Sequence, residues 1–402
     1  MKILMVNKFL YPRGGAETYV SALGKGLVDR GHQVQYFGMM DPRNTLANEV
    51  GAYVSPLDFQ DKRSRRFISP LRVVHSWEAR QKIRQVLDKF RPDILHVNNI
   101  QFHITPSILL EVKDYSRSSG RRVRIIYTAH DFQLICPSHG LFDSDYEMCE
   151  KCVEGNFFHC TVNRCIKGSH LKSMMGTIDG YFWQWSSAYD QIDAIICPSR
   201  FMKQKLDIQR RFRLKTIYLQ NFSTDSELPA VDKGDYVISF GKFCKDKGTL
   251  TLLRVCRMLP DTRFVFAGYG PLVDEIKRVP NAEYVGFKTG TELEAFVGAA
   301  KCSIYPSECY DNCPLSVIES QMLRTPVVAS RIGGIPELVR DGQTGDLFAP
   351  GDPQDLKEKL ESLLSDQARL HAYTFNCRTV SFATLGSYCD ELLKIYEGSS
   401  RK

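Results

Sequence analysis

The segment Ser307 to Ser330 reads SECYDNCPLSVIESQMLRTPVVAS and carries two acids eight places apart, Asp311 and Glu319. It begins at the end of CSIYPS (302–307), an apolar run of strand length, and it closes on a second such run, PVVAS (326–330). Between them, Pro314 suits the first turn of a helix reaching about Leu323, with Asn312 or Cys313 as its cap. Strand, helix, strand is the repeating unit of a parallel sheet. The amides of Cys313, Leu315 and Ser316 then sit at a helix start, where an anion or a hydroxyl can be held. Asp311 in the loop and Glu319 nearly two turns in both reach a ligand lying across that start. Carboxylates accept pairs of hydroxyl hydrogens, which suits a sugar ring or a ribose diol. A capping acid and a surface acid are the plainer reading of the same two residues.

The same alternation extends outward in both directions. Upstream in the second half lie YVISFG (236–241), RFVFAG (263–268) and AEYVGF (282–287), separated by helix-length segments. The first half shows KILMVN (2–7), QVQYFG (33–38), DILHVN (93–98), VRIIYTAHD (123–131) and AIICPS (194–199). Residues 16–30 place Val20, Leu23 and Leu27 on one helical stripe that stops at Gly31. The expectation is an α/β chain of two doubly wound, Rossmann-like domains facing across a cleft. Residues 1–197 would form the first, 198–383 the second, with the join near 197–232 and a last helix at about 384–397 able to belong to either. Ligands of such sheets bind at the carboxyl ends of the strands.

Composition agrees with two globular cores. With 402 residues, 43% hydrophobic and 25% charged, the chain is too long for one ordinary core and too apolar for disorder. The apolar runs are strand-sized, so no membrane span is expected, and the start MKILMVNKFLYPRGG is too short in apolar residues for a signal peptide. Thirteen cysteines, mostly inside apolar runs, argue against a disulfide framework. These readings place the chain in the cytoplasm, with peripheral contact at the inner face of the membrane left open. The net charge of +7 is uneven: residues 1–200 hold 26 Lys/Arg against 20 Asp/Glu, residues 201–402 hold 27 against 26. DKRSRRF (61–67) and RSSGRRVR (117–124) contribute to the surplus. Solvated surface is the expected role. Nucleic acid is not expected as a partner, because no recognition-helix, RRM or zinc-finger spacing accompanies the charge.

Three further loops carry candidate chemistry. SFGKFCKDKGTLTLL (239–253) supplies Lys242 and Lys247, two cations suited to the charge that develops on a departing diphosphate. YPRGGAETYV (11–20) puts Gly14 and Gly15 at a helix start, where backbone can approach a ligand. YTAHDF (127–132) puts His130 at a strand's carboxyl end, with Asp131 beside it to orient the loop or the ring. A tight turn, two exposed lysines and a structural histidine are the corresponding bland readings.

Taken with the segment at 307–330 and RIGGIPELVRDGQTGDLFAP (331–350), these motifs resemble the retaining glycosyltransferases of family 4 (glycosyl transferases group 1), which have the GT-B fold. The resemblance covers nearly the whole chain and is most specific over 236–350. It implies a nucleoside-diphosphate sugar as donor and a hydroxyl acceptor, glycan or lipid-linked. Glu319 would hold the nucleotide ribose, Asp311 the donor sugar, Lys242 and Lys247 the diphosphate. His130 would bond a sugar hydroxyl, and the Gly14–Gly15 turn would face the donor phosphates. Asn312, Cys313, Leu315 and Ser316 would complete the donor site, and Glu337 lies in the part that closes over the nucleotide. Two positions depart from the family pattern: Asp311 stands where a Glu is usual, and Lys242 where an Arg is usual, so bidentate binding is lost there while charge is kept. With no carboxylate at a suitable strand end in the first half, a front-face mechanism is expected, metal-independent and needing no cofactor. A sugar-nucleotide epimerase of the same fold and a catalytically inactive sugar-nucleotide binder are the alternatives.

Three signals are weighed apart. DSD (143–145) has the form of a metal-nucleotide motif but lies in a polar loop with no strand leading in. Cys149, Cys152, Cys160 and Cys165 form C-x2-C-x7-C-x4-C, which leaves a structural zinc and free thiols both open. GYFWQW (180–185), downstream of Lys167, His170 and Lys172, suits core packing at the domain junction, with a bilayer interface as the alternative.

Overall fold

Parallel strands are covered on both faces, so they appear in sequence as unbroken apolar runs rather than alternating ones. The runs identified above are strands in the computed structural model, which describes residues 1–56, 74–223 and 232–399. The chain divides into two units, Met1–Leu219 with Leu385–Lys402, and Gln220–Thr384.

The first unit contains β1 (Lys2–Val6), β2 (Gln33–Phe37), β3 (Ile94–Val97), β4 (Arg124–Thr128), β5 (Ala194–Cys197) and β6 (Thr216–Tyr218). They pair in parallel in the order β2-β1-β3-β4-β5-β6. Ile3, Leu4, Met5, Leu95, Val97 and Ile126 are fully buried along its centre. The helix Gly15–Val28 lays Val20, Leu23 and Leu27 inward, the stripe read from the sequence.

The second unit contains β7 (Val237–Lys242), β8 (Phe264–Tyr269), β9 (Ala282–Gly286), β10 (Cys302–Tyr305), β11 (Val327–Ser330) and β12 (Gly345–Phe348). Their order is β12-β11-β10-β7-β8-β9, again all parallel. Phe264, Phe266, Ile304 and Val328 pack with Leu356 and Leu360 of the helix Pro353–Ser365. In each sheet the strand order reverses once, between β1 and β3 in the first and between β7 and β10 in the second. Loops leaving neighbouring strands diverge there to opposite faces and open a crevice.

Two features differ from the sequence reading, and one stretch falls outside the described residues. The division falls after Leu219, inside the join expected at 197–232 but beyond the boundary at 197, because β6 pairs with β5 and so draws residues 200–219 into the first sheet. β6 and β12 themselves were not anticipated: both are edge strands of three or four residues, and β12 carries the buried Asp346. The stretch 61–67 lies outside the described residues.

The last helix, Leu385–Glu397, belongs to the first unit. Its Tyr388 hydroxyl meets that of Tyr19 at 2.7 Å, and its Tyr396 hydroxyl meets His96 Nδ1 at 2.6 Å. The other ring nitrogen of His96 contacts Thr128 Oγ1 at 2.7 Å. Burial, followed by the nearby His130, lowers the His96 pKa to about 3, so the ring is neutral with one nitrogen donating and the other accepting. Tyr396→Phe leaves one of those buried nitrogens unsatisfied and is expected to lower stability by about 1–3 kcal/mol, read as a drop in denaturant midpoint. An unchanged midpoint would show that this helix is not anchored through Tyr396.

Candidate functional site

In the second unit the reversal point is lined by the loops after β7 and β10. After Lys242, the chain makes a 3-10 turn over Lys245–Lys247 and passes through Gly248 with φ +66°. A Cβ at Gly248 would come 1.7 Å from the Pro306 carbonyl oxygen, so only glycine lets the two loops lie this close. The Glu308 amide donates to the Asp246 carbonyl at 3.0 Å, and Thr251 Oγ1 donates to Glu308 Oε1 at 2.5 Å.

This zipping brings Lys247 onto Asp311. Lys247 Nζ forms an ion pair with Asp311 Oδ1, and Tyr305 OH donates to Asp311 Oδ2 at 2.9 Å. Cys309 Sγ lies 3.6 Å from the same ammonium. Burial alone would lower the Lys247 pKa, but the Asp311 carboxylate and its neighbours outweigh it and hold the amine well above its ordinary value. Burial and then Asp311 push the Tyr305 phenol well up. Asp311 is fixed from behind as well: Gly334 donates its amide to the Asp311 carbonyl at 2.7 Å, and a Cβ on Gly333 (φ +61°) would reach within 2.4 Å of that oxygen. Glu337 ends the 3-10 turn Ile335–Glu337 that follows these glycines.

The helix beyond Asp311 spans Leu315–Met322. Pro314 is its cap, not its first turn, and neither Asn312 nor Cys313 caps it; no side chain does. Asn312 and Cys313 are buried in the approach, where the Cys313 carbonyl accepts from Asn221 Nδ2 at 3.0 Å and burial pushes the thiol up to about 12. The first amides, of Leu315 and Ser316, therefore lie at an uncapped helix start. Glu319 is half-buried and makes no hydrogen bond or ion pair among the described residues. Burial, and then Glu294, raise its pKa to about 7. Lys242 is exposed on the last residue of β7 and likewise has no ion pair among the described residues.

In the first unit His130 follows β4, and its Nε2 lies 2.9 Å from Asn98 Oδ1 at the end of β3. Asn98 Nδ2 donates to the Val6 carbonyl at 3.2 Å, which turns its oxygen toward the ring and assigns the proton to Nε2. Burial lowers the His130 pKa to about 4, and Tyr19 packs edge-on at 4.9 Å. Asp131 accepts from Gln101 Nε2 and from the Gln133 amide, so it orients the loop. Gly14 caps the helix Gly15–Val28 in an extended conformation open to any residue, and Gly15 is exposed at its start. Gly14, Asn98 and His130 belong to the loops after β1, β3 and β4, around the reversal of the first sheet.

Other candidates resolve into local structure. Asp143 accepts the amides of Asp145 (2.9 Å) and Glu147 (3.1 Å) and so closes its own turn. Cys149, Cys152, Cys160 and Cys165 form no disulfide, and Asn163 Nδ2 donates to Cys149 Sγ at 3.5 Å. Among the described residues no group of three or more His, Cys, Asp or Glu is disposed to hold a metal ion. Arg121 and Arg122 of the 117–124 stretch pair with Asp93 and Asp193 on the surface. Tyr305, Asn98 and Gly333 were not singled out in the sequence; each of the first two is a polar residue at a strand end, which is the signal that could have found them.

Residues 13–218 match the family model described as Glycosyltransferase Family 4, and residues 222–379 match Glycosyl transferases group 1. A sulfoquinovosyl transferase of Arabidopsis thaliana is 32% identical over 163 residues, 39% of this chain and 31% of the relative. An uncharacterised glycosyltransferase of Methanocaldococcus jannaschii is 28% identical over 211 residues, 50% of this chain and 58% of the relative. The matched segments thus span about a third and just over half of those two relatives. Among solved structures, Anabaena HepE in complex with UDP and glucose superposes with a TM-score of 0.67 at 16% identity, covering 99% of this chain and 100% of that one. WaaG, a glycosyltransferase involved in lipopolysaccharide biosynthesis, gives 0.65 at 13% identity, covering 98% and 100%. The fold is GT-B.

The state of Glu319 sets a pH test. Its folded pKa of about 7 lies above the ordinary 4.5, so the folded form binds the proton more tightly. Wild-type stability should then fall as pH rises through that window and level off above it. Glu319→Gln lacks this loss. Its melting temperature relative to wild type should climb between about pH 4.5 and 7, measured without ligand; a pH-independent difference would rule out a raised pKa.

Proposed function

The chain belongs to Glycosyltransferase Family 4, and on that premise we propose that it moves a sugar from a nucleoside-diphosphate sugar to a hydroxyl acceptor with retention at the anomeric carbon. The observation that carries this reading is the Lys247–Asp311–Tyr305 set, held at the strand-order reversal of the second sheet beside an uncapped helix start. A diphosphate at that point meets Lys242, Lys247 and the amides of Leu315 and Ser316. These supply fixed positive charge as the leaving group's charge grows. Glu319, ionised, accepts the two ribose hydroxyls. Asp311 contacts the donor sugar with the oxygens that Lys247 and Tyr305 hold in place.

Retention follows from a front-face path. The bond from the anomeric carbon to the diphosphate oxygen breaks, the acceptor oxygen bonds to the same face, and the departing phosphate oxygen takes the acceptor's proton. Positioning and charge stabilisation supply the acceleration. Asp131 has its oxygens engaged by Gln101 and Gln133, which disfavours it as a nucleophile. His130 is neutral near pH 7, so its role is a hydrogen bond to a sugar hydroxyl rather than proton transfer. The acceptor is a glycan or lipid-linked hydroxyl. HepE is solved with UDP and with UDP-glucose, which makes uridine donors the first to try.

A panel of UDP-, GDP- and ADP-sugars, with and without lipid and glycan acceptors, tests the proposal. Released nucleoside diphosphate with an acceptor-linked sugar of unchanged anomeric configuration supports it. An inverted product overturns retention, an epimerised donor indicates an isomerase, and donor left intact throughout indicates a binder. On the active pair, Lys247→Ala and Glu319→Ala should each lower kcat/KM by about ten-fold or more, the scale of losing one charge-stabilising contact. Wild-type kinetics in both variants would remove them from the site.

A further inference from the structure

The helix His170–Trp185 presents the wrong side to solvent. Its inward residues are small or polar: Ser173, Gly176 and Thr177 are buried, and among its large side chains Trp183 is buried too. A Cβ on Gly176 would stand 2.4 Å from Ile166, so the helix is pressed closely onto the preceding segment. Thr177 Oγ1 donates to the Phe157 carbonyl at 3.0 Å and contacts Thr161 Oγ1 at 2.8 Å. The outward stripe is apolar instead. Leu171 is 67% exposed, Ile178 48% and Trp185 80%, with Met174 and Phe182 also exposed. Their spacings of three, four, four and three residues form one line along the helix.

A surface helix ordinarily turns such a stripe toward the core. Single exposed apolar side chains need no explanation, but a continuous row of them does. The row also broadens sideways. The short helix Phe158–Val162 exposes Phe158 and Val162, one turn apart, and the Phe158 amide donates to Tyr181 OH at 3.3 Å. Tyr181 in turn stacks on Trp185 at 5.3 Å. GYFWQW is therefore not core as a whole; of its aromatic rings, Trp183 alone is buried.

Charge selects the occupant. Between residues 155 and 186 the one acid is Asp179, and its carboxylate accepts from Trp183 Nε1 at 2.9 Å. Burial raises its pKa to about 7. Arg164, Lys167 and Lys172 are exposed around the apolar row. An apolar, Trp- and Phe-bearing face edged by Arg164, Lys167 and Lys172, with the exposed acid Glu154 set apart beside Gln184, is complementary to an anionic lipid surface. Two copies joined about a two-fold axis would bring these basic rims together, which works against self-association. We propose that the helix His170–Trp185 docks on an anionic membrane surface, with Leu171, Ile178 and Trp185 in the headgroup–acyl boundary and Arg164, Lys167 and Lys172 on lipid phosphates.

Flotation of the full chain with vesicles tests this. One set is pure phosphatidylcholine, the other an equal mixture with phosphatidylglycerol. Wild type should float with the anionic set and far less with the neutral one. Leu171→Ser/Ile178→Ser/Trp185→Ser should lower the partition coefficient by about ten-fold or more. Lys167→Glu/Lys172→Glu, which leaves the apolar row intact, should lower it by roughly ten-fold on the anionic set alone. Circular dichroism confirms that each variant is folded. Neither variant should change turnover of a soluble acceptor, so failure here is separable from failure of the transferase reading. Absence of wild-type flotation overturns the proposal. So does a concentration-dependent dimer in sedimentation that the triple serine variant abolishes, which would assign the row to a second copy.

Discussion

A parallel strand cannot be joined to its neighbour by a tight turn; the chain must cross over the sheet each time. That constraint organises both units. It buries the strands on two faces, which is why they are short apolar runs, and it delivers every outgoing loop to the same edge. With one reversal of strand order in each sheet, the loops after β7 and β10, and those after β1 and β3, are forced apart into a crevice. The residues with chemistry to offer are at those places because the winding leaves nowhere else for a polar loop to converge.

What the second unit adds is electrostatic preorganisation. Lys247 is kept charged in a half-buried position by Asp311, and Asp311 is kept in place by Tyr305, the Gly333–Gly334 backbone and the ion pair itself. Glu319 is the opposite case: a carboxylate partly removed from water with no protein donor among the described residues. A group left in that state gains most from an incoming pair of hydroxyls. The first unit treats His96 and His130 in yet another way, as neutral rings fixed by Asn98, Thr128 and Tyr396.

Ten of the twelve strands among the described residues were legible in the sequence because burial on both faces writes itself as local hydrophobicity. β6 and β12 were not. β6 is three residues long, and β12 carries Asp346 because Arg369 and Tyr373, more than twenty positions away, both donate to its Oδ1. The site was legible as a set of residue types at strand ends, but the partnerships were not. Asp311 could be marked as a ligand contact, yet nothing local reveals that Lys247, 64 residues earlier, would hold it. The capping of the Leu315–Met322 helix failed for a smaller reason: Pro314 fits equally as a cap or as a first-turn residue.

The second unit is an insertion within the first, since the chain leaves after Leu219 and comes back at Leu385. Tyr19 and His96 wait for partners 369 and 300 residues downstream. As the polypeptide emerges from the ribosome, the later-made unit can mature ahead of the earlier one, because all its strands are contiguous. The amino-terminal portion stays unfinished until the helix Leu385–Glu397 has been made. Quality control of this protein would therefore be expected to watch its N-terminal half, although that half is synthesised first.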